Sequence, residues 1–372
     1  MGAFDAVASS PMNPHDVEEK LRRLVHRQVA NKNVSNIVVG LQSTDGPIVS
    51  AAAGHADADG LVAMTTDTPY YLASITKMYT ATVLMTLAGA GTIDLDAAIS
   101  TYLPADLIRN IHVIDGTDLG DQITVAMLLN QTSGLADYFG GTTKSGVSVE
   151  DDLKEGHDRA LSIETIMDIV RGLPPQFAPG AGSGRKAHYS DTNYALLGAI
   201  IESVTEKTVA DNFQDAIFSP LGLTNTYVFD HTEARPKPAA MYFKARAVEI
   251  PLAMSSFAPD GGVVSTLAES LRFLQGFFGG ELLKEDQLKF MMRQWNRLFF
   301  PLQYGSGLMR FKLPRWMSPF MAPPELIGHS GSTGSFAFYE PARGVYMAGT
   351  VNQMANPGRP FRIMTQMVRF VD

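Results

Sequence analysis

The chain has 372 residues, of which 45% are hydrophobic, and its 30 basic and 38 acidic side chains give a formal net charge of -8. This acidic balance, without a long basic run, argues against a nucleic-acid partner and against an anionic membrane surface. The absence of cysteine excludes disulfides, thiolate nucleophiles and zinc–thiolate sites.

The amino-terminal segment MGAFDAVASSPMNPHDVEEKL lacks a basic start followed by an apolar core. We therefore expect no secretory signal, and the cytoplasm is the default location. The chain contains no uninterrupted apolar run of about 18 residues, so we expect a soluble protein without membrane insertion.

The predicted elements place strands near both chain termini and helices between them. A charged helix over roughly residues 16–30 precedes NIVVGLQSTDGPIVSAAAG, which predicts two strands around a Thr-Asp-Gly turn. The apolar segment 73–88 predicts a buried helix. Residues 94–229 are mostly helical, with ITVAMLLNQ, SIETIMDIVRGL and NYALLGAIIESV as the clearest segments. SFAFYEP and GVYMAGTVNQ predict two more strands, and an amphipathic helix over 360–371 follows.

This order predicts one domain of the α/β (α+β) class over residues 12–372. An antiparallel sheet would be assembled from both chain termini, about residues 12–90 and 236–372, and flanked by helices. A mostly helical subdomain, about residues 91–235, would be inserted between them. The seam between the sheet and this insert is the expected ligand cleft.

The segment LASITKMYT contains the S-x-x-K pair Ser74 and Lys77. Lys77 is the only acidic or basic residue between Thr68 and Ile93, and an amine in such apolar surroundings is costly unless it is paired. A helix places both side chains one turn apart on one face, and its N-terminus favours negative charge on the serine oxygen. The amine can then hydrogen-bond the hydroxyl and help to take its proton, which makes serine a nucleophile.

The pattern S-x-x-K is weak alone, because an ordinary capping serine with a solvated lysine also satisfies it. A second pair, Ser183 and Lys186, lies in the glycine-rich stretch GAGSGRKAHYS and predicts a solvated loop of that kind. Two other segments carry polar residues of interest. HYSDTNYALLGAIIE places Tyr189 and Asp191 in a turn before a helix, and IGHSGSTGSFAFYEP places a His-Ser-Gly triplet at the start of a strand.

Ser74 and Lys77, Tyr189, and the triplet His329 to Gly331 occur in an order that resembles the penicillin-recognising serine hydrolases. That family includes class C β-lactamases, serine D-Ala-D-Ala carboxypeptidases, D-amino-acid peptidases and amidases, and family VIII carboxylesterases. MLLNQTSGL and DGGVVSTLAESLRFL also resemble family segments. The resemblance covers most of the chain and implies a β-lactamase/transpeptidase-like fold.

The resemblance implies a role for each motif residue. Ser74 would attack the substrate carbonyl and form an acyl-enzyme, while Lys77 hydrogen-bonds Ser74 and holds positive charge. Tyr189 would shuttle the proton, which requires a cation such as Lys77 to lower its pKa from about 10. The N–H groups of Ser74 and Ser332 would form the oxyanion hole. No metal and no cofactor is implied.

Two positions depart from many relatives and bear on substrate binding. Asp191 replaces the asparagine of Tyr-x-Asn, and an ionised aspartate only accepts hydrogen bonds. We therefore expect poor recognition of acylamido β-lactams and a preference for a donor-bearing substrate such as a free amine. His329 begins the third motif, His-x-Gly with Gly331, where lysine is common. Because histidine is only fractionally charged near pH 7, we expect carboxylate binding there to be weak or pH-dependent.

These residues favour a serine hydrolase acting on a small ester, an amide or a short peptide, of the carboxylesterase or D-amino-acid peptidase/amidase type with weak β-lactamase activity. The alternatives are a dedicated class C-like β-lactamase or D-Ala-D-Ala carboxypeptidase, an acyltransferase, and a non-catalytic protein that binds peptides or cell-wall fragments. A non-catalytic protein has no need of a buried amine. The sequence indicates no particular oligomeric state.

Overall fold

The computed structural model describes residues 13–30, 34–143, 146–314, 316 and 324–371, so the expected domain limits Met12 and Asp372 lie outside it. The helices are α1 Pro14–Ala30, α2 Thr76–Gly89, α3 Ala105–Ile108, α4 Val125–Leu129, α5 Val149–Lys154, α6 Ile163–Arg171, α7 Asp191–Thr205, α8 Val209–Phe213, α9 Ser219–Leu221, α10 Pro251–Ser256, α11 Leu267–Phe278, α12 Glu285–Met292 and α13 Arg359–Val368. The strands are β1 Asn36–Ser43, β2 Ile48–Gly54, β3 Tyr70–Tyr71, β4 Val113–Ile114, β5 Thr117–Asp118, β6 Tyr227–Val228, β7 Met241–Phe243, β8 Arg246–Val248, β9 Val263–Ser265, β10 Asn296–Phe299, β11 Leu302–Tyr304, β12 Met309–Lys312, β13 Glu325–Ser330, β14 Ser335–Glu340 and β15 Val345–Thr350.

The main sheet contains eight antiparallel strands in the order β10-β11-β12-β13-β14-β15-β1-β2. Strands β1 and β15 pair from Val38 with Thr350 to Ser43 with Val345, which joins the beginning of the chain to its end. The predicted α/β class, with an antiparallel sheet assembled from both chain termini, is therefore confirmed. The boundaries of the helical insert at about 91 and 235 stay a prediction.

Helices cover both faces of this sheet, because neighbouring residues of a strand point to opposite faces. Phe338 of β14 contacts Phe361 of α13, whereas the next residue, Tyr339, contacts Phe278 of α11. All six residues of β14 and all six of β15 are buried. Continuous apolar strands of this kind are typical of a sheet that is covered on both sides.

The buried helix predicted over 73–88 forms, but it begins later than expected. Residues Ala73–Ile75 form a 3-10 turn, and α2 starts at Thr76. Ten consecutive residues of α2 are buried, and α2 contacts both α7 and β13, so it lies between the sheet and the helical region. Although α2 is apolar on every side, no helix in the described residues is long and apolar enough to span a membrane.

Strands β10 to β13 were not predicted from the sequence. Each of the first three is only three or four residues long, too short to show a periodic pattern. They form because each pairs with a neighbour across the sheet, from β10 with β11 to β12 with β13. Such strands depend on their partners more than on intrinsic propensity.

The turn that joins β13 to β14 packs closely against the 3-10 turn before α2. A Cβ atom on Gly331 would lie 2.2 Å from Ser335 Oγ, 2.5 Å from the carbonyl oxygen of Leu72 and 2.9 Å from Ala73 Cβ. Two of these neighbours are backbone or Cβ atoms, which no side-chain rotation can move. Only glycine allows the two turns to approach this closely.

We expect Gly331→Ala to lower the free energy of unfolding by ~1–3 kcal/mol, because the added methyl group forces the two turns apart. Urea denaturation of the purified variant measures the change. Gly358→Ala is the control, since its Cβ would meet only Asn356 Oδ1, at 3.8 Å. That variant should stay within ~0.5 kcal/mol of the wild type. Equal effects of the two substitutions would contradict the packing described for Gly331.

Candidate active site

Ser74 lies in the 3-10 turn just before α2, and Lys77 lies in the first turn of α2. The residue before the serine, Ala73, has a φ of 47°, in the left-handed region that residues other than glycine rarely adopt. Strained backbone of this kind persists only where the surrounding structure enforces it. Here the turn is held by Ser335 Oγ, which donates a hydrogen bond to the Leu72 carbonyl oxygen at 2.7 Å.

The Lys77 ammonium is completely buried and uses all three of its N–H donors. It donates to Ser74 Oγ at 3.2 Å, to the carbonyl oxygen of Asp260 at 2.7 Å, and to Asp191 Oδ1. Burial lowers the pKa of Lys77, but Asp191 first, then Tyr189 and Asp260, raise it by more. Lys77 is therefore an ammonium at neutral pH, and its ion pair with Asp191 compensates for its burial.

Tyr189 precedes α7 and its ring lies 5.3 Å from Lys77 Nζ. Its hydroxyl is buried and makes no hydrogen bond of good geometry with any described residue. Burial raises the pKa of Tyr189 above its ordinary value, and Asp191 adds to the rise, although Lys77 and Ser74 oppose it. Lys77 therefore lowers this pKa as expected, but burial and Asp191 outweigh it, so that Tyr189 is a neutral phenol at neutral pH.

His329 differs from its prediction in position and in charge. It lies near the end of β13, paired with Ala337 of β14, rather than at the start of a strand. Its Nδ1 donates to the Ser330 carbonyl oxygen at 2.8 Å, and its Nε2 lies 3.2 Å from the Tyr304 hydroxyl. Burial and then the charge of Lys77 lower the pKa of His329 to about 3. The imidazole is neutral at pH 7, because the strand turns it into the protein interior.

The His329 side chain instead belongs to an aromatic wall behind Tyr189. The ring of Tyr304 meets Tyr189 edge-on at 5.8 Å and meets His329 at 5.7 Å. The Tyr304 hydroxyl donates to the Tyr194 hydroxyl at 3.1 Å. This wall, formed by Tyr194, Tyr304 and His329, carries no charge at neutral pH.

Two carboxyl groups that the sequence analysis missed, the half-buried Asp137 and the buried Asp260, lie beside Asp191. Asp137 Oδ1 accepts from the backbone N–H of Asp191 at 2.9 Å, and Asp260 Oδ2 accepts from the Tyr138 hydroxyl at 2.8 Å. Burial raises the pKa of both groups, and the charge of Asp191 adds to each rise, although Lys77 opposes it at Asp260. Their sequence signal was their position in the family-like segments: Asp137 soon follows MLLNQTSGL, and Asp260 begins DGGVVSTL.

One cavity of about 920 Å³ connects the remaining residues. Ser74, Tyr189, Asp191, Gly331 and Ser332 all border it, whereas His329 is not among the described residues that line it. The structure therefore brings together every predicted site residue except the His329 side chain. Chemically, the arrangement offers a hydroxyl beside an ammonium and a phenol, and the carboxyl groups of Asp137 and Asp260 lie close by.

The family model named Beta-lactamase matches residues 21–367. The chain belongs to the beta-lactamase family. Members of this family are generally serine hydrolases. The chain is 28% identical over 235 residues to penicillin-binding protein 4 of Amycolatopsis lactamdurans, a match that covers 62% of this chain and 56% of that protein. The matched part thus spans little more than half the length of that relative.

Two solved structures of similar fold are an amidase and an amidohydrolase. The D-amino acid amidase of Ochrobactrum anthropi SV3, in its complex with L-phenylalanine amide, is 25% identical, with a TM-score of 0.77 over 96% of this chain and 98% of that chain. The D-stereospecific amidohydrolase from Streptomyces sp. is also 25% identical, with a TM-score of 0.72 over 92% of this chain and 95% of that chain. The predicted β-lactamase/transpeptidase-like fold is thereby confirmed.

The buried ion pair predicts strong coupling between its two members. We expect Lys77→Met and Asp191→Asn each to lower the free energy of unfolding by ~3–5 kcal/mol, because each leaves a buried charge without its partner. The double variant should lose less than the sum of the two, by ~1–3 kcal/mol. Urea denaturation of all four proteins at pH 7 measures this coupling.

The control cycle uses the exposed pair Lys237 and Glu249, whose Nζ and Oε1 atoms lie 3.2 Å apart at the surface. Lys237→Met and Glu249→Gln should show no measurable coupling, because surface pairs are screened by solvent. Purely additive losses at Lys77 and Asp191 would contradict the pairing described here.

Proposed function

We propose that this protein is a serine hydrolase that cleaves an amide or ester bond through an acyl-enzyme on Ser74, with an amino-acid amide as the favoured substrate. The observation that carries the proposal is the hydrogen bond from the Lys77 ammonium to Ser74 Oγ, next to a buried Tyr189 hydroxyl that makes no hydrogen bond of good geometry with any described residue. Leaving a buried hydroxyl unpaired costs ~1–3 kcal/mol. A catalytic role for that hydroxyl accounts for the cost.

The charges of the site assign the proton transfers. Lys77 is held as an ammonium by Asp191, so it cannot accept the proton of Ser74. Tyr189 is a neutral phenol, and it can accept a proton only while it releases its own. In the proposed acylation step, Ser74 Oγ bonds to the substrate carbonyl carbon and its proton passes to the Tyr189 oxygen. The original Tyr189 proton passes to the leaving nitrogen or oxygen as the scissile bond breaks.

In deacylation, Tyr189 passes protons in the opposite direction, from the attacking water to Ser74. A water oxygen bonds to the acyl carbon, the water proton passes to Tyr189, and the proton of Tyr189 returns to Ser74 Oγ as the acyl bond breaks. Tyr189 is neutral before and after each half-reaction, which agrees with its raised pKa. Lys77 keeps its charge throughout and stabilises the developing negative charge on Ser74 Oγ.

The proposed oxyanion hole consists of the backbone N–H groups of Ser74 and Ser332. Both residues border the cavity, from the turn before α2 and from the turn after β13. The hydrogen bond from Ser335 to Leu72 and the close approach of Gly331 hold these two turns together. One donor in such a hole is typically worth ~3 kcal/mol in the transition state.

The acidic groups around Lys77 favour a substrate that carries an ammonium. Asp137, Asp191 and Asp260 border the cavity together with Glu150. Asp191 is paired with Lys77 and Glu150 with Lys154, whereas Asp137 and Asp260 have no side-chain ion pair among the described residues. A free α-amino group supplies the donors that these carboxylates accept, whereas the amide side chain of a β-lactam also needs a donor from the protein. This supports an amino-acid amide over a dedicated β-lactamase substrate. The similar D-amino acid amidase supports the same choice and favours the D enantiomer.

Labelling with a fluorophosphonate, followed by mass spectrometry of the peptides, tests the nucleophile. We expect one adduct, on Ser74, because its hydroxyl is the one activated by a neighbouring ammonium and phenol. Ser74→Ala should abolish the adduct and lower kcat/KM at least ~10³-fold on amino-acid p-nitroanilides. Ser183→Ala, which removes the serine of the second S-x-x-K pair, should retain both the adduct on Ser74 and the wild-type kcat/KM. A folded wild-type protein that reacts with no acylating probe would instead support a binding protein.

The ammonium preference is tested with D-phenylalanine p-nitroanilide and its N-acetyl derivative, which lacks the charge. We expect N-acetylation to lower kcat/KM at least ~10-fold, since the carboxylates then face a neutral amide. Asp137→Asn should reduce the ratio of kcat/KM for the free amine to kcat/KM for the N-acetyl substrate. Asp168→Asn, which changes an exposed carboxylate on α6, should leave that ratio unchanged. Equal rates on the two substrates would refute the assignment of the acidic groups.

A further inference from the structure

Away from Ser74, the same cavity is bordered by the strands β10 to β12 on one side and by the helix α13 on the other, and we call this part the arm. The two sides meet where the ring of Phe311 stacks on that of Phe361, with 5.2 Å between the ring centroids. The strand side of this arm is apolar, and the helix side is partly polar. The strand side is formed by Leu298, Phe299, Leu302, Met309, Phe311 and Leu313. From α13 and its C-terminal end, Phe361, Arg362, Thr365, Gln366 and Arg369 line the arm.

The spacing on α13 shows how far the arm extends. Arg362, Thr365 or Gln366, and Arg369 are three to four and seven positions apart, so they share one face of the helix. The opposite face is buried through Ile363, Met364, Met367 and Val368. At about 1.5 Å per residue, the stretch from Phe361 to Arg369 is about 12 Å long. An arm of this length is larger than the side chain of one amino acid needs.

The two ends of the cavity carry opposite charge. The acidic end lies beside Ser74, where Gly140 separates Asp137 from Glu150: a Cβ on Gly140 would lie 3.0 Å and 3.9 Å from their carboxylate oxygens. The far end contains Arg362 and Arg369, and the described residues of the arm include no aspartate or glutamate. Arg362 donates to the neutral Asn356 Oδ1 at 3.1 Å. The middle of the arm is apolar.

Resting on the proposed function, we propose that the arm binds the leaving group of the substrate, a long alkyl chain that ends in a carboxylate. The acidic end takes the ammonium of the acyl part, the scissile carbonyl lies at Ser74, and the other side of the bond extends into the arm. A peptide would lose its hydrogen bonds to water along the apolar walls, whereas an alkyl chain loses none. With C–C bonds of about 1.52 Å and angles near 111°, about ten carbons span 12 Å.

The hairpin tip at the mouth of the arm supports this assignment. Phe299 borders the arm yet is 63% exposed, and its neighbour Phe300 is 60% exposed. Adjacent exposed aromatic residues are typical of a surface that covers a ligand. An alkyl chain in the arm would remove part of the Phe299 ring from water.

The experiment compares three amides of D-alanine: D-alaninamide, the amide with decylamine, and the amide with 10-aminodecanoate. Chromatography of the released amine gives kcat/KM for each. We expect the decylamide to exceed D-alaninamide by at least ~10-fold through KM, and the carboxylate-ended amide to exceed the decylamide by a further ~5-fold or more. The first ratio measures the contribution of the apolar walls to binding, and the second measures the contribution of Arg362 and Arg369.

Charge reversal identifies the residues responsible. Arg362→Glu combined with Arg369→Glu should remove the advantage of the carboxylate-ended amide over the decylamide. The control, Arg22→Glu combined with Arg23→Glu, makes the same change in net charge on the exposed side of α1 and should preserve that advantage. Phe299→Ser should lower the ratio of decylamide to D-alaninamide.

Calorimetric titration of 10-aminodecanoate separates this proposal from the proposed function. Binding to the wild type that is lost in the Arg362 and Arg369 variant supports the arm even if no amide is cleaved. Failure to cleave D-alaninamide, with no difference from Ser74→Ala, would overturn the proposed amidase function alone. Equal kcat/KM on all three amides, or no binding of 10-aminodecanoate, would overturn the arm and leave the function standing.

Discussion

The buried ammonium of Lys77 is the interaction on which the geometry of the site depends. Its three hydrogen bonds reach Ser74, Asp191 and Asp260, which are 3, 114 and 183 positions away along the chain. An isolated ammonium in a protein interior is too costly to persist, so the three segments must meet for α2 to be buried. The need to satisfy one charge therefore fixes the turn before α2, the start of α7 and the segment before β9 relative to one another.

Much of this arrangement could be predicted from local sequence. The single charge in an apolar helix indicated Lys77 and its partner serine, and the order of three short motifs added Tyr189 and Gly331. The positions of strands at both chain termini predicted the sheet, because apolar runs such as SFAFYEP and GVYMAGTVNQ identify strands without knowledge of their partners. These features share one property: the chemistry that defines them lies within a few consecutive residues.

The remaining features depend on burial, which the fold decides. His329 was expected to be partly charged, but the strand turns it against Tyr304, and desolvation keeps it neutral. Tyr189 was expected to be acidified by Lys77, yet its burial and the nearby Asp191 outweigh that single cation. Asp137 was not assigned to the site, because only the fold brings it beside Asp191, which is 54 positions away in sequence.

The neutral wall and the acidic groups together explain how one cation, Lys77, can act both on Ser74 and on Tyr189. Tyr194, Tyr304 and His329 carry no charge at neutral pH, so Lys77 is the cation that acts on Tyr189 among the described residues, and Asp191 holds it protonated. The same carboxylate borders the cavity, where Asp137 has a raised pKa because a buried negative charge beside Asp191 is unfavourable. A substrate ammonium would remove that penalty and lower the pKa of Asp137. In the proposed function the ammonium of the acyl group lies beside these carboxylates, and this orientation directs the other side of the scissile bond toward α13.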